Sequence, residues 1–140
     1  MAFKVFVDAN ILLDFTLKRV HHPVSKRIIE LAVNNDIEAF TTPAIVHIVA
    51  YWLTKSYGNK KAKELILSLL LHVTIIDANH ETVINAVGSK IDDIEDALQY
   101  FTAVHHKMDY FLTRDKLFAK QALPALPLYL PERFLSEMML

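Results

Sequence analysis

The sequence predicts an α/β domain built on a parallel sheet. Short runs rich in β-branched and aromatic residues alternate along the chain with longer runs of helical periodicity, the pattern of βαβ units. The strand-like runs are apolar at nearly every position, not at every second one, as in strands covered on both faces. The chain has 140 residues, 53% of them hydrophobic. That length fits one domain, 1–140, able to bury roughly two-thirds of its unfolded surface without disulfide or structural metal.

Each element has its own signal. Phe3 to Val7 is the first strand. Ile11 to Leu17 reads as a short helix, followed by a loop around His21-His22-Pro23. Val24, Ile28, Ile29, Leu31 and Ala32 form the apolar stripe of a helix over Val24 to Asn34. Glu38 to Thr41 is the second strand. Thr42-Pro43 places an N-cap and a first-turn proline at the start of a helix running to Tyr57. Gly58 ends it as a C′ glycine, and Asn59 caps the next helix, to about Leu71. Val73 to Ile76 is the third strand, and Asn79 starts a helix ending near Gly88. Asp93 starts another, with Ile94, Ala97, Leu98, Phe101, Val104 and Met108 on one face. Tyr110 to Thr113 and Pro127 to Leu130 are the last strands, and Pro131 opens a final short helix.

Composition removes several chemistries. There is no cysteine, so no disulfide, thiolate zinc site or thiol nucleophile, which fits a reducing cytoplasm. Gly58 and Gly88 are the only glycines, too few for a Gly-rich phosphate loop or a G-x-S-x-G elbow. The seven histidines include no i, i+4 pair that would put two imidazoles on one helix face. The serines lack a nucleophile context. A net charge of −1 is unlike proteins that coat nucleic acid non-specifically. The longest apolar run, Ala44 to Leu53, is interrupted by His47 and falls short of the roughly 18–20 residues that span a bilayer. The N-terminus shows no signal-peptide order. The expectation is a soluble cytoplasmic protein with no membrane contact.

Carboxylates remain. In open parallel sheets the site lies beyond the carboxyl ends of the strands, at the switch point. Asp8 directly follows the first strand, and Asp115 lies two residues beyond the fourth. Asp93 and Asp96 open the helix leading into that fourth strand. If the first and fourth strands are neighbours, Asp8 and Asp115 flank the switch point and Asp96 closes a third side. Such acids repel and raise each other's pKa. A divalent cation relieves the repulsion, and oxygen-only ligands favour Mg²⁺ or Mn²⁺. The chemistry indicated is metal-assisted phosphodiester hydrolysis. Each acid also has a plain alternative as a helix or turn cap, with Asp93 and Asp96 at capping-box spacing.

These motifs resemble the PIN-domain nucleases, the family that includes the VapC-like toxins of toxin–antitoxin pairs. The resemblance rests on Val5-Phe6-Val7-Asp8-Ala9-Asn10-Ile11-Leu12-Leu13-Asp14, on Asp93-Ile94-Glu95-Asp96-Ala97-Leu98-Gln99-Tyr100, and on Leu112-Thr113-Arg114-Asp115, in that order. It implies a Rossmann-like α/β/α sandwich with a central parallel sheet of four to five strands. It also implies Mg²⁺- or Mn²⁺-dependent cleavage of RNA by Asp8, Asp96 and Asp115 as metal ligands. Asn10 and Thr113 would be polar supports, Asp93 an outer acid, and Asp14 an orienting residue of the first helix. Many members carry a glutamate in the helix after the second strand, where His47 stands here. A lone histidine on an apolar helix reads as a hydrogen-bonded core residue.

Basic residues cluster at Lys18, Arg19, Lys26 and Arg27, at Lys55, Lys60, Lys61 and Lys63, and at Arg114, Lys116 and Lys120. Arg114 and Lys116 lie nearest the acids and are the candidates for phosphate contacts. The apolar surplus across Pro43–Tyr57 and Lys60–Leu71 suggests a protein interface, for the family a homodimer surface or an antitoxin groove. Two further readings are a non-catalytic PIN-like module binding RNA or protein, and a receiver-type domain. The second leaves the Asp96 motif unexplained.

Overall fold

A computed structural model describes residues 2–121 and 123–139. The elements are β1 (Phe3–Val7), α1 (Ala9–Thr16), α2 (His22–Val33), β2 (Ile37–Thr41), α3 (Pro43–Tyr57), α4 (Asn59–Leu70), β3 (Val73–Ile75), α5 (His80–Val87), α6 (Ile94–His105), β4 (Tyr110–Leu112), α7 (Lys116–Ala119), β5 (Leu128–Tyr129) and α8 (Pro131–Met138). All strand pairs are parallel, in the order β3-β2-β1-β4-β5. β1 is therefore the middle strand. Val5, Phe6 and Val7 expose none of their surface, which is why this strand reads as a continuous apolar run and not as an alternating one.

The strand order also fixes the layers. From β1 the chain steps outward to β2 and β3, then returns across β1 to β4. Right-handed crossovers in opposite directions lay their helices on opposite faces. α1 to α4 thus cover one face, and α5 and α6 the other. α8 returns to pack on α2. The switch point falls between β1 and β4, which are neighbours as the acidic motifs require.

Local chemistry sets the element ends. Thr42 caps α3 through a hydrogen bond to its Oγ1 from the Ile45 amide, with Pro43 in the first turn. Gly58 has φ +83° and joins α3 to α4. A Cβ there would meet nothing within 4 Å, so the demand for glycine is conformational alone. Gly58 itself occupies the N-cap of α4, and Asn59 is the first helical residue. This differs from the expected asparagine cap. α2 begins at His22, two residues earlier than its apolar stripe suggests, because Pro23 suits the first turn.

Two other expectations change. The turn after β4 is a short helix, α7, which has too few residues to show periodicity. α6 most fully buries Ala97, Gln99, Tyr100, Thr102 and Ala103, while Ile94 is exposed and Met108 lies beyond the helix end. α6 packs on both the sheet, through Tyr100 against Phe111, and α5, so its buried surface is wider than a single stripe. Among the described residues, no helix is long and apolar enough to cross a membrane.

The sheet is tied to α6 and α7 by aromatic packing. Phe6 stacks on Phe111 at 4.6 Å between ring centroids, and Phe118 meets Phe111 edge-on at 5.5 Å. Phe111 is fully buried. Phe111→Ala should destabilise the fold by about 3–5 kcal/mol, read as a shift of the urea unfolding midpoint. A loss below about 1 kcal/mol would mean that this cluster is not a core.

Candidate metal centre

The acids of the site gather at helix N-termini. Asp8 leaves β1 and caps α1, its Oδ1 accepting from the Ala9 amide at 2.8 Å. Asp93 caps α6, its Oδ1 accepting from the Asp96 amide at 2.9 Å. Asp115 caps α7, its Oδ1 accepting from the amides of Leu117 and Phe118. Threonines brace these ends. Thr113, fully buried, donates from Oγ1 to Asp8 Oδ2 at 3.2 Å and accepts from the Asp115 amide at 3.1 Å. Thr41 Oγ1 donates to the Val7 carbonyl, and Thr42 Oγ1 donates to Gln99 Oε1 at 2.6 Å, joining the start of α3 to α6.

Electrostatics shows which acids face one another. Burial pushes the Asp8 carboxyl above the ordinary aspartate value, and the charges of Asp115 and Asp93 add to the rise. Hydrogen bonds from Ala9 and Thr113 oppose it. Asp96 is pushed up to about 6, by burial first and then by the charges of Asp93, Asp8 and Asp115. Glu95 is pushed up to about 8, again by burial first and then by Asp8, Asp96 and Asp93. Carboxylate oxygens of Asp93, Glu95 and Asp96 all lie within 4.8 Å of one another. Asp8 and Asp115 face that group across the switch point. Among the described residues, no ion pair reaches any of these five acids. The oxygens of Asp93, Glu95 and Asp96 lie close enough to share one hard divalent cation, and the negative charges of Asp8 and Asp115 act on the same group.

The structure thus gathers Asp8, Asp93, Asp96, Asp115 and Thr113 at one edge of the sheet. Lys116 is exposed at the start of α7, beside Asp115. Asn10 is exposed, and its Oδ1 accepts from Arg19 Nη1 at 3.5 Å; among the described residues no side-chain hydrogen bond joins it to the acids. Two expectations need correcting. Arg114 is not a free phosphate contact. Its guanidinium pairs with Asp14 and Glu132, and its side chain is only 11% exposed. His47 is not a core residue. It is exposed, lining a shallow trough with Tyr51, Thr54 and Lys55, because the apolar residues of α3 extend beyond the face that covers the sheet.

Glu95 is the site residue that the motif reading passed over. Its signal was present: it lies between Asp93 and Asp96 in the first turn of α6. Placed there it would ordinarily pass as an acid favoured by the helix dipole. Glu132 was also missed, and no local signal marks it, since its partner Arg114 is 18 residues away.

A doubly wound parallel domain with an acid-lined switch point is the class that fold and site define. The chain belongs to the PIN-domain family, whose model matches residues 4–117. It is 33% identical to Ribonuclease VapC1 of Aquifex aeolicus over 121 residues, covering 82% of this chain and 83% of that protein. Among solved structures it is similar to VapBC2 of Rickettsia felis bound to a promoter DNA fragment, with TM-score 0.68 and 18% identity. That match covers 91% of this chain and 98% of the other. A toxin–antitoxin complex from Klebsiella pneumoniae matches with TM-score 0.68 and 21% identity over 91% and 97% of the two chains. The Mycobacterium tuberculosis toxin VapC20, which cleaves the sarcin-ricin loop, matches with TM-score 0.64 and 15% identity over 81% and 92%. At these identities the solved structures speak for the fold.

The raised carboxyls make stability depend on pH in a defined direction. Glu95 holds its proton up to about pH 8 in the fold, while in the unfolded chain it titrates near the ordinary value of about 4.3. Between those limits the native state binds more protons, so stability falls as pH rises. Glu95→Gln should therefore raise the melting temperature of the metal-free protein above about pH 8. The gain should vanish near pH 4, below both values. Parallel melting curves for parent and variant across that range would contradict the shift.

Proposed function

We propose that the chain is a Mg²⁺- or Mn²⁺-dependent endoribonuclease, the toxin of a type II toxin–antitoxin pair. The observation that carries this reading is the set of Asp8, Asp93, Glu95, Asp96 and Asp115 at the switch point, with no ion pair to it among the described residues. The ribonuclease relative supports the substrate, and the toxin–antitoxin neighbours support the antitoxin partner.

Asp8, Asp96 and Asp115 would hold the ion, with Asp93 and Glu95 at its margin. A bound divalent ion supplies an activated water and neutralises charge at phosphorus. Thr113 fixes the Asp8 carboxylate through its hydrogen bond to Oδ2, leaving Oδ1 on the Ala9 amide. Glu95, protonated up to about pH 8, holds a proton at neutral pH that cation binding must displace. α3 contributes no carboxylate, so Glu95 supplies from α6 the acid that many relatives are expected to place on α3. Lys116 is positioned to meet a phosphate beside Asp115. Exposed Tyr51, Trp52, Leu67, Leu70 and Leu71 on α3 and α4 are the apolar surface for a second copy or an antitoxin. An enzyme of this kind works in the cytoplasm, where its RNA is.

The missing acid on α3 favours a second reading, a PIN-like module that binds RNA or protein without cleaving. A Mn²⁺ titration separates the two, since the module requires no cation. Asp8→Asn should reduce Mn²⁺-dependent RNA cleavage by about a hundredfold or more, with an unchanged circular dichroism spectrum. Cleavage at the parent rate would sink the assignment.

A further inference from the structure

The segment Thr113-Arg114-Asp115 carries two residues of the acid crevice with an arginine between them. Thr113 binds Asp8, and Asp115 caps α7. Arg114 reaches the helices instead. Its Nη1 donates to both carboxylate oxygens of Glu132, at 2.6 and 2.5 Å, and its Nε lies 3.3 Å from Asp14 Oδ2. Asp14 is buried on α1, the helix that Asp8 caps, and also attracts Arg19 Nη1 at 3.8 Å. Glu132 stands in the first turn of α8, beyond the residues the family model matches.

This pairing is poorly explained by stability alone. Arg114 Nη2 is buried without a hydrogen-bond partner, and Nε meets Asp14 as an ion pair without a hydrogen bond. Leaving such a buried donor unsatisfied costs free energy. Buried ion pairs contribute little net stability over well-packed apolar side chains. They do impose orientation, because the guanidinium is a rigid planar fork. Burial works to raise the Glu132 carboxyl, and the hydrogen bond and charge of Arg114, with a backbone hydrogen bond and the charge of His21, together leave it below the ordinary glutamate range.

We propose that Arg114 is a positioning residue, clamped by Asp14 and Glu132, that sets where Asp115 stands relative to Asp8. The inference rests on the metal-centre reading given above. α1 carries both Asp8 and Asp14, six residues and about 9 Å apart along the axis. Gripping Asp14 therefore references the loop after β4 to the same helix whose N-cap is Asp8. Glu132 closes the clamp from α8, so the last helix of the chain acts on a site to which it contributes no ligand.

The test uses the full chain with Arg114→Lys, Glu132→Gln and the double variant. Mn²⁺ affinity is measured by titration calorimetry, melting temperature in EDTA, and cleavage as kcat and KM. Each single variant should weaken Mn²⁺ binding about tenfold, as loss of an outer orienting partner does. The double variant should lose little more than either single one, because the two residues act as one unit. kcat should fall with KM for RNA unchanged. Glu132 is 47% exposed at its side chain, so its variant folds even if Arg114→Lys does not. Lower melting temperatures with parental Mn²⁺ affinity would make the clamp merely structural and overturn the inference. A raised KM with parental Mn²⁺ affinity would make Arg114 an RNA contact and equally overturn it. A parent protein that binds no Mn²⁺ would overturn the metal-centre reading and this inference with it.

Discussion

Carboxylates brought close together repel, and in this protein that repulsion is concentrated where β1 and β4 end. Asp8, Asp93, Glu95, Asp96 and Asp115 meet there; burial first, and then their mutual charge, raises Glu95 to about 8 and Asp96 to about 6. The fold must hold this arrangement against its own electrostatics. It does so with helix N-termini. Asp8, Asp93 and Asp115 each cap a helix, where amide donors and the dipole favour negative charge. In the proposed reading, a cap and a metal ligand would be the same residue. Capping uses Oδ1 of each carboxylate, and in Asp8 the Thr113 hydroxyl holds Oδ2 as well.

The rest of the structure serves that placement. A middle strand apolar on both faces lets helices pack on each side, and the reversal of strand order opens the crevice. Phe6, Phe111 and Phe118 lock β1, β4 and α7 together. Thr113 and Thr42 carry the positioning from backbone to side chain. The cations near the site do not neutralise it. Arg114 is engaged by Asp14 and Glu132, and Lys116 points out at the start of α7. In the proposed reading, a cation from solution would fill the crevice.

Much of this was legible in the sequence. The doubly wound sheet followed from apolar runs that do not alternate, while the adjacency of β1 and β4 was a condition that the placement of Asp8 and Asp115 required and the structure supplied. Asp93 and Asp96 were readable because capping spacing and site geometry coincide. What escaped was non-local or ambiguous. Glu95 lay inside a recognised motif, but burial against Asp8 is what marks it, and burial is a tertiary property. Arg114 is basic and near the acids, so it reads as a phosphate contact until Glu132, 18 residues on, claims it. His47 has apolar neighbours on both sides in sequence, yet α3 turns it outward. α7 is four residues long, too short for any periodic signal.

The central claim is that these acids are a cation site whose charge the fold leaves uncompensated. Mn²⁺ titration calorimetry at pH 7 in two buffers of different ionisation enthalpy tests it most directly, because the difference counts protons released on binding. With Glu95 titrating at about 8 and Asp96 at about 6, the account predicts about one proton released per ion bound. Asp8→Asn should weaken that binding. No binding, or binding without proton release, would contradict it.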